Sequence, residues 1–209
     1  MTATEIKETI YRLDGPLRGA IGETDQLLRG VRLMPDSTVL DVGAGTGYLS
    51  LPLARVLGEG GYVCAVDTCG ELLQVLEAKA LQRGLDGRIQ ASRGSAIHLE
   101  YPSASFDFVF SSYLLHELAD EAPAALREMH RVLKPLGEIV LADYRLTADR
   151  DRCRQIEEWY QAQADGGGPE ELHLRFSLQD LESMLLAAGF HNIRLATWMD
   201  FHMHVVATK

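Results

Sequence analysis

The chain has 209 residues, of which 46% are hydrophobic and 24% charged, and its formal net charge is −10. This length favours one domain with a well-buried core and argues against two full domains. The acidic balance disfavours a nucleic-acid substrate, because proteins that grip a phosphate backbone normally carry a basic face.

Cysteine usage and hydropathy indicate a reducing compartment. The three cysteines, Cys64, Cys69 and Cys153, show no C-x-x-C pairing, so reduced thiols are expected. The N-terminal residues lack the apolar core of a signal peptide, and no apolar run approaches the roughly 20 residues of a membrane span. We therefore expect a cytoplasmic protein without a membrane span.

Residues 1–35 form the first predicted unit. Apolar side chains at helical spacing predict a helix, and Thr24 is a candidate cap for a short second helix. We expect this unit to be a helical cap over the ligand mouth rather than a domain of its own. Tyr11 is its candidate substrate contact, with an ordinary half-buried aromatic side chain as the alternative.

A glycine-rich turn follows the first predicted strand. A short apolar run ends in Asp41, and Gly43, Gly45 and Gly47 follow it closely, before a helical pattern. A strand, glycine turn and helix in this order present backbone N–H groups to a polar ligand, and glycine lets that ligand approach closely. The third glycine comes one residue earlier than in the dinucleotide fingerprint G-x-G-x-x-G.

An acidic residue ends the second predicted strand. Asp67 follows the apolar run 62–66 and stands twenty residues after Gly47. An acidic side chain at this place can accept hydrogen bonds from both hydroxyls of a ribose. A helix N-cap or a turn residue is the alternative.

Strands and helices alternate through residue 142. The predicted helices are 71–83 and 120–133, and the predicted strands are 88–92, 106–110 and 138–142. This rhythm is typical of βαβ units and a mostly parallel sheet. Residues 144–176 interrupt it with a polar helix and a Gly-Gly-Gly-Pro joint, which predicts a lid insertion. A capping box at Ser177 opens a helix to residue 188, and two antiparallel strands, 193–197 and 201–208, follow.

The ordered motifs from residue 39 onward resemble class I S-adenosylmethionine (SAM) dependent methyltransferases. The nearest resemblance is to the small-molecule group that includes the ubiquinone/menaquinone-type C-methyltransferases. The resembling residues are the D-V-G-A-G-T-G run, Asp67, Leu115-His116-Glu117-Leu118, the run R-V-L-K-P-L-G-E and Ala188-Gly189-Phe190. The resemblance implies an α/β fold with a Rossmann-like, seven-stranded, mostly parallel sheet, helices on both faces and the last strand antiparallel. It also implies one domain over residues 1–209 and SAM as the cofactor.

The resemblance further implies a cofactor site at the carboxyl ends of the first strands. Carried over by position, its residues are Asp41, Gly43, Ala44, Gly45, Thr46, Asp67, Thr68, Ser95, Ala96 and Ser112. Ser95 departs from the family pattern, which commonly has an acidic residue there to accept a bond from the adenine amino group.

Catalytic and acceptor-binding candidates follow strands four and five. Methyl transfer mainly requires alignment and exclusion of water, and a general base is needed only if the acceptor must lose a proton. His116 and Asp143 are the catalytic candidates, and for His116 a role in shaping the pocket is an equal alternative. The candidate acceptor contacts are Tyr11, Tyr113, Tyr144, Trp159, Tyr160, His173 and Arg175.

Three functions remain open at this point. The favoured one is a SAM-dependent methyltransferase acting on a small molecule, as a monomer or a homodimer. The alternatives are a SAM-binding module without catalysis and an NAD(P)-dependent oxidoreductase, which the glycine spacing opposes. No metal site is predicted: His202 and His204 share one face of a strand, but zinc would need further ligands and structural roles are favoured.

Overall fold

A seven-stranded sheet with the strand order β3-β2-β1-β4-β5-β7-β6 runs through the protein. The computed structural model describes residues 2–14, 23–147, 149, 151, 153–155, 158, 175–198 and 201–209. The strands are β1 (Thr38–Val42), β2 (Tyr62–Asp67), β3 (Ile89–Arg93), β4 (Phe106–Ser112), β5 (Leu133–Tyr144), β6 (His191–Trp198) and β7 (His202–Thr208). β7 pairs antiparallel with both β5 and β6, whereas the pairs from β3 across to β5 are parallel. The predicted fold class is confirmed.

Helices cover both faces of this sheet. They are α1 (Ala3–Asp14), α2 (Glu23–Leu28), α3 (Ser50–Val56), α4 (Gly70–Gln82), α5 (Leu115–Leu118), α6 (Ala122–Val132) and α7 (Leu178–Ala188). Neighbouring residues of one strand belong to different hydrophobic clusters: Val205 packs with Leu126 of α6, and Val206 packs with Leu53 of α3. This alternation is the period of two of a β-strand, and it buries the sheet between two helical layers.

Two element boundaries differ from the prediction for identifiable reasons. β5 begins at Leu133, five residues before the predicted start, because Leu133 pairs with Phe106 ahead of a register shift. Pro135 lies within that irregular stretch, where a missing N–H interrupts no regular ladder. A 3₁₀ turn, Ala119–Glu121, precedes α6, which therefore starts later than predicted.

The predicted capping box at the start of α7 is confirmed. The Ser177 hydroxyl accepts from the Asp180 N–H at 3.1 Å, and a carboxylate oxygen of Asp180 accepts from the Ser177 N–H at 2.9 Å. Gly189 ends the helix with a left-handed φ of 101°. The same helix packs on α6, so it belongs to one of the two layers that hold the sheet.

The direction of β7 decides what stands at the carboxyl edge of the sheet. Because β7 is antiparallel to β5, its first residue, His202, lies opposite Tyr144, which is the last residue of β5. The carboxyl ends of β1, β2, β3, β4 and β5 and the start of β7 therefore meet along one edge. None of the described helices is long and apolar enough to cross a lipid bilayer.

Candidate active site

The turn after β1 brings its backbone N–H groups to this edge. Gly43, Gly45 and Gly47 have positive φ angles of 77°, 50° and 83°. A Cβ at Gly47 would lie 2.1 Å from a methyl carbon of Leu76 in α4, so a side chain there would displace Leu76 and would also be strained by the positive φ. The Gly43 N–H donates to the carbonyl of Val66 at 2.8 Å. The loop is thus held against both β2 and α4.

Asp67, the last residue of β2, organises the same loop. Its Oδ2 accepts from the N–H of Gly45 at 2.8 Å, and its Oδ1 accepts from the N–H of Cys69 at 2.9 Å. An ionised carboxylate has about four acceptor positions, so both oxygens retain capacity for further donors. Since the side chain is only half-buried, it can accept from two neighbouring hydroxyl groups, as a ribose presents them.

The end of α1 lies on the glycine loop. Asp14 accepts from the Thr46 hydroxyl at 2.7 Å and from the Lys79 ammonium at 2.6 Å. A methyl carbon of Leu13 lies 3.0 Å from the place that a Cβ at Gly45 would take. Sequence analysis missed Asp14 and Lys79 as residues of this region, because no local pattern reveals that α1 and α4 meet over the loop.

A cavity of about 590 Å³ opens beside Asp67, at the carboxyl ends of β2 and β3. Thr68 and Arg93 line it, and the Arg93 Nε–H donates to the Thr68 carbonyl at 2.9 Å. In the turn after β3, Ser95 is half-buried and Ala96 is buried. Of these three predicted residues, Thr68 lines the cavity, and Ser95 and Ala96 lie just after β3, whose last residue is Arg93.

Two further predicted cofactor residues end β1 and β4. Asp41 is buried and accepts from the hydroxyl of Ser50, the first residue of α3. Ser112 is half-buried at the end of β4. Its neighbour Ser111 donates to the Val42 carbonyl at 2.8 Å, which ties β4 to the start of the glycine loop. Asp41 thus ties β1 to the start of α3, whereas Ser112 lies at the carboxyl edge itself.

These features fit the SAM that the resemblance implies. The loop excludes side chains at its glycines, Asp67 has spare acceptor capacity, and the cavity is within the roughly 300–1,000 Å³ of small-molecule sites. Gly43, Ala44, Gly45 and Thr46 would hold the methionine end and Asp67 the ribose. Ser95 would face the adenine.

A buried histidine–carboxylate pair joins α5 to β5. The Nδ1 of His116 lies 2.7 Å from the Oδ1 of Asp143, and the backbone N–H of His116 donates to the Oδ2 at 3.2 Å. The N–H of Tyr144 donates to the Oδ1 at 2.7 Å. Asp143 is only 1% exposed, whereas the His116 side chain keeps 10% exposure. The carboxylate therefore fixes the imidazole with its Nδ1 bonded and its Nε2 available to a ligand.

Aromatic rings surround this pair. The Tyr144 ring centroid lies 4.7 Å from that of Tyr113 and 5.0 Å from that of His116. Trp198 stacks on His202 at 4.8 Å with an interplanar angle of 17°, and Phe201 lies 4.3 Å from the same imidazole. The end of the sheet beside His116 is thus lined with flat, polarisable surface.

His202, for which sequence analysis favoured a structural role, lies beside these rings. Its Nδ1 lies 2.7 Å from the Tyr113 hydroxyl, and burial lowers the pKa of its imidazole to about 3. Burial also lowers the pKa of His204, which sits beside α2. The predicted antiparallel last strand could have revealed His202. An antiparallel strand begins at the edge where the parallel strands end, so its first residues lie beside their carboxyl ends.

The predicted acceptor contacts are only partly brought together. Tyr113 and Tyr144 lie in the cluster, while Tyr11 is 59% exposed on α1 and Arg175 is exposed before α7. The other three, Trp159, Tyr160 and His173, lie outside the described residues, as does most of the predicted polar helix of the lid.

Comparison with known proteins agrees with this geometry. Residues 39–137 match a family model described as a methyltransferase domain. A demethylmenaquinone methyltransferase of Lactiplantibacillus plantarum is 29% identical over 182 residues, 80% of this chain and 76% of that protein. The ubiquinone/menaquinone biosynthesis C-methyltransferase UbiE of Vibrio vulnificus is 34% identical over 110 residues, which are 53% of this chain but only 42% of the Vibrio protein. A crystal structure of a SAM-dependent methyltransferase from Aquifex aeolicus has a TM-score of 0.77 and 25% identity, covering 100% of this chain and 98% of that one.

The sequence motifs, the sheet order and these relatives all agree. The methyltransferase interpretation is therefore confirmed, and SAM is the cofactor. The oxidoreductase alternative finds no support among these relatives. The chain is a class I SAM-dependent methyltransferase that resembles the ubiquinone/menaquinone-type enzymes.

Proposed function

We propose that this protein methylates a ring carbon of a small, planar aromatic acceptor that carries hydroxyl groups, as in a reduced quinone. The observation that carries this proposal is the buried His116–Asp143 pair beside the rings of Tyr113 and Tyr144. The printed names of two relatives, a demethylmenaquinone and a ubiquinone/menaquinone methyltransferase, support the same acceptor class.

The chain's own residues prepare the donor and the acceptor. SAM, when bound, supplies an activated methyl group, so the protein has to align, orient and exclude water. Asp67 and the glycine loop would position the cofactor at the carboxyl ends of β1 and β2. Ser112, at the end of β4, lies between that loop and the aromatic cluster.

His116 can serve as the general base for such an acceptor. With its Nδ1–H donated to Asp143, its Nε2 carries the lone pair that accepts a proton from an acceptor hydroxyl. The negative charge of Asp143 then stabilises the imidazolium that forms. Loss of the hydroxyl proton raises the electron density of the ring carbon beside it, which is the atom to be methylated. Once that carbon carries the methyl group it loses its own hydrogen as a proton, and the oxygen takes a proton back, so that the methylated quinol is restored with a net release of one proton.

The aromatic side chains favour a flat acceptor over an aliphatic one. Offset and edge-on contacts between rings are favourable beyond the area they bury, by about 0.5–1.5 kcal/mol for each pair. Tyr113 and Tyr144 are half-buried, so part of each ring can meet a ligand. A naphthoquinol presents both a flat face and hydroxyl groups.

Methylation of a defined quinol tests this function. We would incubate the protein with SAM and 2-prenyl-1,4-naphthohydroquinone under anaerobic reducing conditions and identify the product by mass spectrometry and NMR. We expect a ring-methylated product, and no product from the matched dimethyl ether, which has no hydroxyl proton to lose. An O-methylated product, or none from the quinol while SAM binds, would reject the proposed acceptor and site of methylation.

We also propose that residues 1–35 are a cap over the cofactor and that residues 144–176 are a lid bearing acceptor contacts. The bonds of Asp14 to Thr46 and Lys79 support the cap. The N–H of Leu146 donates to the Phe176 carbonyl at 2.8 Å, which closes the ends of the lid segment on each other. A segment packed for stability or dimer contact is the alternative.

Hydrogen exchange of residues 144–176 distinguishes a lid from a segment packed for stability or dimer contact. A lid should exchange quickly in the free protein and slow down when SAM and the naphthohydroquinone bind. Equal protection in both states would reject the lid.

The remaining proposals concern context. We propose a cytoplasmic protein that acts as a monomer or homodimer on a small molecule and not on nucleic acid. Its three cysteines show no C-x-x-C pairing, which supports a reducing compartment, and its net charge of −10 supports the small substrate. Sedimentation would check the oligomeric state, and localisation of the tagged protein would check the compartment.

A further inference from the structure

A second polar pair lies beside the proposed base. The hydroxyl of Tyr113 and the Nδ1 of His202 are 2.7 Å apart, and they join the end of β4 to the start of β7. The Tyr144 ring lies between the two pairs, 5.0 Å from the ring of His116 and 5.6 Å from that of His202. The mechanism proposed above does not use this second pair.

The surroundings of His202 restrict its protonation. Its side chain is 0% exposed and lies against Trp198 and Phe201, and burial keeps the imidazole neutral. Its Nε2 is buried and has no hydrogen-bond partner among the described residues. A neutral imidazole carries one N–H, and a buried N–H without an acceptor is rarer than a buried acceptor without a donor. The proton therefore belongs on Nδ1, where the Tyr113 oxygen accepts it.

The backbone of Tyr113 shows that this side chain is held in a defined place. Its φ is 52°, which is uncommon for a residue other than glycine. Its N–H donates to the carbonyl of Ala142 at 2.8 Å. Such conformations persist where the surroundings determine them, and they cluster at functional sites.

We propose that His202 is a positioning residue for Tyr113. Its Nδ1–H donates to the Tyr113 oxygen, so that Tyr113 donates its own hydroxyl proton to an oxygen of the acceptor. This inference rests on the proposed function, which supplies an acceptor oxygen that becomes negative as His116 removes its proton. A hydrogen bond to such an oxygen strengthens as the charge develops, which is how donors of this kind promote reactions. No proton leaves Tyr113 in this role.

Among the residues that the structure describes, few other ionisable groups face His202. Tyr144 is its partner in the β5 register, and Trp198 is its partner in β6. Asp143 and Arg145 flank Tyr144 on β5, where the Arg145 N–H donates to the carbonyl of Phe201 at 2.8 Å. The Asp143 carboxylate is bonded to His116, so His202 acts on the acceptor only through Tyr113.

The test is a double-mutant cycle with 2-prenyl-1,4-naphthohydroquinone and SAM. Tyr113→Phe should lower kcat/KM for the quinol by about 10- to 100-fold, the value of a hydrogen bond to a charged group. His202→Leu should lower it as much, and the double variant should be no worse than Tyr113→Phe alone. His202→Asn keeps an N–H donor near the phenol oxygen and should restore most of the activity. His204→Leu is the matched control, because it replaces another buried histidine of β7 by the same residue. It should leave kcat/KM unchanged.

Additive effects of Tyr113→Phe and His202→Leu, or no rescue by asparagine in a folded variant, would overturn the inference while leaving the proposed function standing. A wild-type protein that binds SAM but does not methylate the quinol would instead reject the proposed function. The pair can then be judged without any acceptor, from the ¹⁵N signals of His202 in the labelled protein. A proton on Nδ1 supports the inference, and a proton on Nε2 overturns it.

Discussion

Replacing Asp143 by asparagine tests whether the His116–Asp143 pair is catalytic. The carboxylate accepts from the His116 Nδ1, the His116 N–H and the Tyr144 N–H at 2.7, 3.2 and 2.7 Å. An amide keeps one acceptor oxygen, so it can retain the two bonds made by Oδ1, but its NH₂ group then faces the His116 N–H. Losing that bond in a buried place should lower the free energy of unfolding by about 1–3 kcal/mol. At about 2–4 °C per kcal/mol for a chain of this size, the melting temperature should fall by about 2–12 °C.

The effect on catalysis should be separate from this loss of stability. The amide removes the charge that stabilises the His116 imidazolium, and a charge-assisted hydrogen bond is worth about 1.5–3 kcal/mol. At about 1.4 kcal/mol per tenfold change, kcat for the naphthoquinol should fall by about 10- to 150-fold. The affinity for SAM should stay the same, because the pair does not touch the glycine loop.

Asp107→Asn is the matched control. Asp107 lies at the start of β4, at the opposite edge of the sheet, and accepts from the Thr38 N–H at 2.8 Å and from Lys134 at 2.9 Å. The Asp107→Asn variant should have a lower melting temperature than the wild type and an unchanged kcat. Calorimetry and steady-state kinetics on both variants decide the question. If Asp143→Asn melts lower but retains the wild-type kcat, the pair only supports the fold and His116 is not the base.

Three other predictions concern the cofactor and stability. Asp67→Ala should weaken SAM binding at least about tenfold, because alanine can neither accept from the ribose hydroxyls nor hold the Gly45 N–H. An unchanged dissociation constant in calorimetry would show that Asp67 is a turn residue only. Ser95→Asp should tighten SAM binding by restoring an acidic acceptor for the adenine, and flat affinity would show that the adenine is held another way. Burial depresses the pKa values of His202 and His204, so below about pH 6.5 the unfolded chain binds more protons than the folded one. Unfolding in urea should then show stability falling as the pH drops from 6.5 toward 3, by up to about 1.4 kcal/mol per pH unit for His202, with a contribution of the same sign from His204. His204→Leu should make stability depend less steeply on pH. An unchanged slope would contradict the contribution of His204 to this pH dependence.

The sequence alone was enough to predict the fold class and the cofactor, and it supplied the candidate residues of the cofactor site. The alternation of helices and strands is a local signal, and the resemblance carried by the ordered motifs implied the seven-stranded, mostly parallel sheet. The glycine run and Asp67 are informative for the same reason, because each acts within a few residues of its own strand end. The capping box at Ser177 is equally local.

Only the tertiary structure decided which side chains meet at the proposed acceptor side. The pair of His116 and Asp143 spans 27 residues of chain, and that of Tyr113 and His202 spans 89. No periodic sequence pattern predicts either pair, because both depend on which strand ends meet at one edge of the sheet. The bonds of Asp14 to Thr46 and Lys79 likewise depend on where α1 packs. Long-range pairing of this kind follows from the register and direction of β7 and from helix packing, which local patterns do not encode.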